Sequence, residues 1–338
     1  MAFGISGYGI AIPRLRVKKE DYVKAWGSFQ AAGVKEKSVM GFDEDVLTLA
    51  AKVSLKAMAS VPVAPDKITR FALASTSAPY VEKLLSGTVI TNVGIPNGAF
   101  VSDHTTSSRA GTEAMLAGIE HVKSDSTGWA VVAAADAPRA SMWSPLEHGL
   151  GAGAAGFVIS NDNVIAEFEG HTTYACEHFG ERFRPSDDDL IHDLNVKKFA
   201  QSSLVGTTTR AATSLMNQLG VKPEDYAHVV IQQPDARAPS AIAKKLGFAE
   251  TLLTSSSVVA ELGDLGAAST PVALAAALDS AKVGERILVI SYGSGAASDA
   301  LSFKVVNDRK AQPGVRAEID RKEYIDYVQY LKLKGAIR

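Results

Sequence analysis

Two adjacent segments, AGTEAMLAGIEHV at 110–122 and GWAVVAAAD at 128–136, carry the clearest structural signal in the chain. The first has apolar residues at helical spacing, and the second is a continuous apolar run of strand length. The same order returns in the second half, where AASTPVALAAALDSA at 267–281 leads into ERILVISY at 285–292. A helix that leads into an apolar strand, found twice, predicts an α/β protein.

The spacing of these matches indicates an internal repeat. Trp129 and Arg286, which open the two strands, are 157 positions apart (286 − 129). The segment VAPDKITRFALAS recurs as VKPEDYAHVVIQQ, and its Pro65 and Pro223 are 158 positions apart (223 − 65). Nearly equal spacings favour a duplicated domain over a solenoid. The alternative is the general likeness that helix–strand units of any α/β protein share.

The rest of the chain alternates in the same way, with short apolar runs that predict strands and alanine-rich stretches that predict helices. The predicted strands are Phe71–Ala74, Trp129–Ala134, His228–Ile231 and Arg286–Tyr292, and the predicted helices are Val46–Met58, Gly111–Lys123, Thr207–Leu219 and Pro271–Ala281. This order favours α/β layers with buried, largely parallel strands. We divide the chain into an N-terminal half at 1–165, a connecting and pocket segment at 166–206, and a C-terminal half at 207–338.

Composition restricts the class of protein. Of 338 residues, 46% are hydrophobic and 21% are charged, which is the balance of a folded globular chain. The 35 basic and 37 acidic side chains leave a net charge of −2, so composition indicates no nucleic-acid partner. Cys176 is the single cysteine, no apolar run is long enough to span a membrane, and the N-terminus lacks a signal-peptide pattern. We expect a cytoplasmic protein without a membrane partner.

A hydroxyl-rich loop precedes the first repeated helix. The loop and first turn read DHTTSSRAGTEA at 103–114 and place Ser108 at or near the helix N-terminus. There, free N–H groups and the helix dipole favour a developing negative charge. A simple serine cap with Glu113 in the first turn explains the same pattern without any chemistry, and composition alone favours that interpretation.

A glycine-rich loop, YGSGAASDA, begins at Tyr292 and follows the last predicted strand. Ser298 stands where a dinucleotide-binding loop has its third glycine, and the residues after the loop predict a strand instead of a helix. We therefore expect Gly293, Ser294 and Gly295 to allow a close backbone approach beside a ligand pocket.

Together these segments resemble the thiolase superfamily and, within it, the archaeal-type 3-hydroxy-3-methylglutaryl-CoA synthases. The likeness extends over nearly the whole chain and is carried by GISGYGIAIPRLRV (4–17), EKSVMGFDEDVLTLA (36–50), SRAGTEA (108–114), SPLEHGLGAGAAG (144–156), QQPDARAP (232–239), KKLGF (244–248), ELGDLGAAS (261–269), ISYGSGAASDAL (290–301) and EYIDYVQYLKLKG (323–335). The resemblance implies a thiolase fold with two βαβαβαββ halves in five layers, α-β-α-β-α, and a dimer formed through the first half. It also implies a CoA thioester as the ligand, without a covalently bound cofactor.

The functional positions of that family hold other residues in this chain. The family's nucleophilic cysteine corresponds to Ser108, and its acid–base glutamate, which lies between two serines before a Pro-Tyr pair, corresponds to Thr76. The histidine of its His-Gln-Pro motif corresponds to Gln232, and the asparagine of its Gly-Asn segment corresponds to Asp264. The resemblance therefore covers the scaffold but none of the four catalytic side chains.

These replacements predict a catalytically silent chain. A serine hydroxyl needs an adjacent base to attack a thioester, and neither Thr76 nor Gln232 accepts a proton at neutral pH. Asp264 would add negative charge close to the place where the oxyanion forms. The alternatives are a serine acyltransferase that uses Ser108, a lyase that works without a covalent intermediate, and a CoA-thioester-binding protein.

Three other side chains were considered as reactive groups. We expect Cys176 to be buried and inert. His104 reaches Ser108 only if its loop folds back, and His148 is expected to form part of the wall of a CoA-binding pocket.

No metal site is expected. The spacing of His171, Cys176 and His178 fits no zinc pattern. The acidic run at 187–193 lacks the glycine and the terminal glutamate of a calcium loop and is expected to be a solvated loop.

The resemblance also implies partners. A silent synthase-like chain would be the structural and docking partner of a cysteine-bearing thiolase in an acyltransferase complex. A small zinc-ribbon/OB-fold protein would carry the acyl-CoA. Arg14, Arg16 and the Lys244–Lys245 pair could contact the CoA phosphates, although charged pairs on helices are usually only solvated.

Overall fold

The computed structural model describes residues 2–125, 127–142, 144–177, 181–194, 201–308 and 310–337. The strands are Gly4–Ala11 (β1), Leu15–Lys18 (β2), Glu36–Val39 (β3), Ile68–Ala74 (β4), Phe100–His104 (β5), Trp129–Asp136 (β6), Gly153–Ser160 (β7), Ala166–Ala175 (β8), His228–Ile231 (β9), Arg286–Ile290 (β10), Ala297–Val305 (β11) and Glu323–Tyr324 (β12). The α-helices are Lys19–Trp26 (α1), Val46–Ala59 (α2), Leu85–Val93 (α3), Ala110–Ser124 (α4), Pro145–Gly149 (α5), Gly206–Leu219 (α6), Ala238–Leu246 (α7), Val259–Leu262 (α8), Ser269–Ser280 (α9), Val315–Asp320 (α10) and Tyr327–Leu333 (α11). Within these ranges, no helix has the length and apolar character that crossing a membrane requires.

Nine strands form one hydrogen-bonded sheet in the order β5-β4-β6-β7-β1-β8-β11-β10-β9, and β12, β2 and β3 form a small second sheet. Within the large sheet, β1 pairs with β7 along its length. It pairs with β8 through only two residue pairs, Gly4 with Glu167 and Ile5 with Ala166. The large sheet is therefore divided at this point into an N-terminal part, β5-β4-β6-β7-β1, and a C-terminal part, β8-β11-β10-β9.

Three clusters of buried apolar side chains fill the spaces between the layers. The central cluster contains residues of α4 and α9, together with residues from strands of both parts of the sheet. The helices α2 and α3 cover the outer face of the N-terminal part. The helices α6 and α7 cover the outer face of the C-terminal part. The predicted five layers, α-β-α-β-α, are confirmed, and the two repeated helices α4 and α9 form the central one.

The matched positions of the repeat have the same local structure. Pro65 and Pro223 each open one turn of 3-10 helix, which ends no more than two residues before a strand. Proline suits that position because its missing N–H group would have no partner in a first helical turn. Trp129 and Arg286 each begin a strand that follows a buried helix. The duplication inferred from spacing is therefore present in the fold.

The strand directions differ from the sequence prediction. Of the eight strand pairs described in the large sheet, only β4 with β5, β4 with β6, and β9 with β10 are parallel. The four predicted strands do pair in parallel, β4 with β6 and β9 with β10, but the expectation of largely parallel strands is wrong for the large sheet as a whole. Parallel neighbours need a crossover connection, whereas β10 and β11 are joined by a tight loop and consequently run antiparallel.

Candidate functional site

Ser108 lies just outside the helix that it was predicted to cap. The helix α4 begins at Ala110 with Arg109 as its N-cap residue, and no side chain caps its N-terminus. The Oγ of Ser108 instead donates a hydrogen bond to the backbone carbonyl of Tyr292 at 2.8 Å. The simple serine-cap interpretation is therefore wrong. The hydroxyl proton points to a carbonyl oxygen, which cannot act as a base.

The glycine-rich loop makes the close approach expected of it. A Cβ atom on Gly293 would lie 2.3 Å from the Oγ of Ser107, so only glycine fits there. Gly295 has a φ of +87°, a conformation that favours glycine. Ser294 between them is half-buried. The loop after β10 thus packs against the residues before α4, while its role beside a ligand pocket stays a prediction.

A buried carboxylate connects the start of α4 to the C-terminal half. Asp299 in β11 is fully buried and lies 2.8 Å from the guanidinium of Arg109. Its carboxylate also accepts hydrogen bonds from Thr112 at 2.7 Å and from Thr173 at 2.8 Å. The sequence analysis did not identify Asp299, although an acidic residue inside a predicted buried strand is itself a signal, because a buried charge needs partners.

Asp136 is a second carboxylate that the sequence analysis missed. It is fully buried at the end of β6. The hydroxyl of Thr76 donates to it at 2.7 Å, the hydroxyl of Ser77 at 2.5 Å, and the backbone N–H of Ala267 at 2.7 Å. Thr76, which the sequence analysis predicts to correspond to the acid–base glutamate, therefore carries a hydroxyl that is hydrogen-bonded to a neighbouring carboxylate. The acidic end of the apolar run GWAVVAAAD was the available signal.

Asp264 is buried but does not stand alone. The Nη1 of Arg182 lies 2.8 Å from its Oδ2, and the N–H of Gly266 donates to its Oδ1 at 2.9 Å. Burial raises the pKa of Asp264 above its ordinary value, although the charge of Arg182 acts in the opposite direction. The negative charge expected at this position is therefore paired with the positive charge of Arg182, which the sequence analysis did not consider.

Gln232 is held on both sides of its buried amide. Its Oε1 accepts a hydrogen bond from Thr270 at 2.6 Å, and its Nε2 donates to the carbonyl of Gly266 at 3.2 Å. A neutral amide in this arrangement orients its neighbours but takes up no proton.

Two of the four replaced positions contact one turn directly, and a third is connected to it through Asp136. The 3-10 turn Gly266–Ala268 contacts Gln232 and Asp264. The N–H of Ala267 in this turn donates to Asp136, which also accepts the hydrogen bond of Thr76. The same turn packs against the start of α4, because a Cβ on Gly111 would lie 2.3 Å from the carbonyl oxygen of Ala267. These residues, which belong to motifs far apart in the sequence, are therefore brought together by packing between the two central helices, α4 and α9.

The two histidines considered earlier make other contacts. The Nε2 of His104 lies 3.0 Å from the hydroxyl of Ser102, and its Nδ1 lies 4.0 Å from Glu113. These contacts do not place a base on Ser108. His148 accepts a hydrogen bond from the backbone of Gln30 at 3.1 Å and stacks on an aromatic ring, as a wall residue would. Burial lowers the pKa of both imidazoles, and a contact of His148 with CoA stays a prediction.

The remaining candidates do not form a second reactive centre in the described part of the chain. Cys176 is half-buried just after β8, so the expectation of a buried thiol is wrong, and its inertness stays a prediction. His178 lies outside the described residues. No group of three His, Cys, Asp or Glu residues suited to a metal ion occurs among the residues described. In the acidic run, His192 pairs with Asp188 at 2.6 Å.

The proposed phosphate contacts divide into two groups. Arg16 is fully buried and donates to the carbonyls of Pro13 and Leu15, so it cannot meet a CoA phosphate and that expectation is wrong. Arg14 and the Lys244–Lys245 pair are exposed, and their contact with CoA stays a prediction.

Comparison with known proteins agrees with this architecture. Residues 216–305 match the family described as 3-oxoacyl-[acyl-carrier-protein] synthase III, C terminal. The chain is 32% identical to a hydroxymethylglutaryl-CoA synthase of Archaeoglobus fulgidus over 99% of both chains. It is also 32% identical to one of Thermococcus gammatolerans over 98% of this chain and 95% of the other.

Solved structures show the same fold at lower identity. MvaS in complex with 3-hydroxy-3-methylglutaryl coenzyme A matches with a TM-score of 0.86 and 20% identity over 98% of this chain and 91% of the other. The HMG synthase of the curacin biosynthetic pathway, in complex with holo donor-ACP, matches with a TM-score of 0.88 and 20% identity over 98% and 88%.

The fold and these matches define a thiolase-like protein of the acyl-CoA-condensing class. Within that class, the chain belongs to the hydroxymethylglutaryl-CoA synthase family.

Proposed function

We propose that this chain is a catalytically silent, synthase-like subunit that acts as structural and docking partner of a cysteine-bearing thiolase. The complex would form or cleave carbon–carbon bonds in acyl-CoA substrates, and a small zinc-ribbon/OB-fold protein would deliver the acyl-CoA. The observation that carries the proposal is the hydrogen bond from Ser108 to the carbonyl of Tyr292. At the nucleophile position, the chain has a hydroxyl whose proton no base receives.

The other replaced positions support the same conclusion. The Thr76 hydroxyl donates a hydrogen bond to Asp136, and both polar ends of the Gln232 amide are hydrogen-bonded within the protein. Losing a nucleophile or its base generally removes most of the catalytic rate, and losing both leaves little. Because the replacements are polar and well bonded, the pocket stays folded without its original chemistry. A CoA thioester remains the expected ligand, and we place the complex in the cytoplasm.

The proposed dimer would form at the exposed edge of the N-terminal part of the sheet. The edge strand β5 pairs with β4 on one side, and the side chain of Phe100 at its start is 68% exposed. An edge strand with an exposed aromatic residue is suited to pairing with another chain, and a second copy would extend the sheet by two-fold symmetry.

The proposal is tested by native co-purification and by an assay of the isolated chain. A tagged chain should retain a cysteine-bearing thiolase from its own cell lysate. The isolated chain should release no CoA from acetyl-CoA or acetoacetyl-CoA and should show no acyl adduct by mass spectrometry. Turnover by the isolated chain at a rate typical of synthases would contradict the proposal.

One contact favours the lyase alternative. The Thr76 hydroxyl donates a hydrogen bond to the buried carboxylate of Asp136. In a relay, the Thr76 oxygen would receive the substrate proton while its own proton passes to Asp136, so that Asp136 would be the base. A lyase of this kind would keep its activity in Ser108→Ala and lose it in Thr76→Val. An acyl adduct on Ser108 would instead favour the serine acyltransferase.

A further inference from the structure

A cavity of about 280 Å³ lies between the end of β6 and the C-terminal segment. The segment Pro138–Met142 lines one side, and Tyr330 and Lys334–Ala336 line the other. The cavity is separate from the replaced catalytic positions, none of which lines it. It is nevertheless close to them, because Leu150 in its wall forms a parallel bridge with Asp264.

The one carboxylate in the cavity wall is already fully engaged. Glu147 accepts a hydrogen bond from the buried Nζ of Lys37 at 2.6 Å and one from the hydroxyl of Tyr22 at 2.9 Å. The hydroxyl of Tyr330 donates to it as well. Lys37 also donates hydrogen bonds to the backbone carbonyl of Glu147 and to the hydroxyl of Tyr330. The buried Lys37–Glu147 pair is therefore satisfied by contacts within the protein.

Two cations in the wall have no such partner. Within the part of the chain that the structure describes, neither Arg139 nor Lys334 lies within ion-pair distance of a carboxylate. Arg139, Lys334 and Lys37 together bring three positive charges near the single negative charge of Glu147. The surroundings of the cavity therefore carry a surplus of two positive charges.

This surplus charge affects Lys334 directly. Burial, together with the charges of Lys37 and Arg139, lowers the pKa of Lys334 to about 8, while Glu147 acts in the opposite direction. A positive group whose charged form is disfavoured in this way is stabilised by any anion that enters the cavity.

We propose that this cavity binds a small molecule with a carboxylate or phosphate group, held by the guanidinium of Arg139 and the ammonium of Lys334. A guanidinium matches the two oxygens of such a group in a bidentate arrangement, and an ammonium adds a point charge. The volume falls just below the range of about 300–1,000 Å³ that is typical of ligand sites. It therefore suits a compact free anion, or the phosphate end of a longer ligand such as CoA. The site does not depend on whether the chain is catalytically silent.

Calorimetric titration of the full chain tests this site with four probes: inorganic phosphate, succinate, CoA and pantetheine, which lacks the phosphates of CoA. In Lys334→Met and in Arg139→Gln, the affinity for the anion that binds should fall about tenfold or more, as expected for loss of a hydrogen bond between charged groups. The matched control is Lys332→Met, since Lys332 is exposed on α11 and does not line the cavity. Its affinity should stay within about twofold of that of the unmodified chain.

The four probes also identify the source of the anion. Weaker CoA binding with unchanged pantetheine binding assigns the cavity to a CoA phosphate, whereas weaker phosphate or succinate binding with unchanged CoA binding assigns it to a free anion. Unchanged affinity in both variants, or no binding of any probe, overturns the proposal. Lys334→Met should fold, because it removes a half-buried charge that forms no ion pair among the described residues and loses only a long cation–π contact, 5.7 Å, with the Tyr330 ring. If thermal melting shows that it does not fold, Arg139→Gln, which alters an exposed side chain, decides the question.

Discussion

The hydroxyl of Ser108 donates to the backbone carbonyl of Tyr292 across 2.8 Å, and this bond connects the loop before α4 to the loop after β10. These loops belong to opposite halves of the duplicated fold. At the position predicted to correspond to the family's nucleophile, the chain therefore makes a contact between its two halves. The contact orients the serine without activating it, since a carbonyl accepts a hydrogen bond but does not remove the proton.

Restoring the family's sulfur at this position alone should not restore condensation. In Ser108→Cys the new thiol would lie near the N-terminus of α4, which favours a thiolate. The acid–base and acyl-holding groups would still be missing at Thr76 and Gln232. We expect no CoA release from acetoacetyl-CoA plus acetyl-CoA, measured by thiol detection. Multiple turnovers by this single variant would show that the replaced positions are dispensable.

Asp136→Asn should destabilise the chain strongly. The amide group would face hydroxyl and N–H donors that now bind a carboxylate. We expect the free energy of unfolding to fall by about 2–3 kcal/mol, because hydrogen bonds to a charged group are lost in a buried setting. Urea denaturation measures the change, with Asp187→Asn at an exposed position as the control. Equal stability of the two variants would contradict a structural role for Asp136.

Lys37→Met should lower the free energy of unfolding more than removal of both partners of the Lys37–Glu147 ion pair does. The substitution would leave Glu147 charged and buried without its cation, and such a loss typically costs about 3–5 kcal/mol of the free energy of unfolding. The double variant Lys37→Met/Glu147→Leu should lose less than Lys37→Met alone. Lys24→Met, whose lysine is exposed, is the control. The prediction is contradicted if the free energy of unfolding of the double variant is as low as that of Lys37→Met or lower.

Asp264 should make the stability depend on pH. Its folded pKa is raised, mainly by burial, so its protonated form is favoured in the folded chain. The contribution of this group is fully present below its ordinary pKa of about 4 and is lost as the pH rises through the folded pKa. The stability of Asp264→Asn relative to the unmodified chain should therefore increase from pH 4 upward, as measured by denaturation at several pH values. A difference that stays constant with pH would show that the carboxylate does not titrate abnormally.

Phe100→Glu should separate the proposed dimer. Placing a carboxylate on both copies at the edge of β5 would remove an exposed apolar contact and oppose like charges. Size-exclusion chromatography with light scattering should show a dimer for the unmodified chain and a monomer for the variant. Val283→Glu, at an exposed apolar position in the C-terminal half, should leave the dimer intact. A monomeric unmodified chain would exclude β5 as a dimer edge.

Much of the fold follows from local patterns. The strand predicted at His228–Ile231 has the observed ends, and the predicted helix Val46–Met58 ends one residue early. Apolar periodicity determines such elements because residues three or four apart along a helix, and alternate residues along a strand, lie on the same face. The strand directions were not predictable in this way, since they depend on how the chain returns between layers.

The sequence by itself determined the duplication, the order of the eight predicted helices and strands, and the family, and it predicts that Thr76, Ser108, Gln232 and Asp264 replace the family's catalytic residues. All of these are local or collinear properties of the chain. Only the tertiary structure decided what the replaced residues contact. Thr76 meets a carboxylate 60 positions away, Asp264 meets a guanidinium 82 positions away, and Ser108 meets a carbonyl 184 positions away. Periodic patterns in the sequence do not predict contacts between residues so far apart in the chain, because these partners are brought together by the packing of the two parts of the sheet around the central helices.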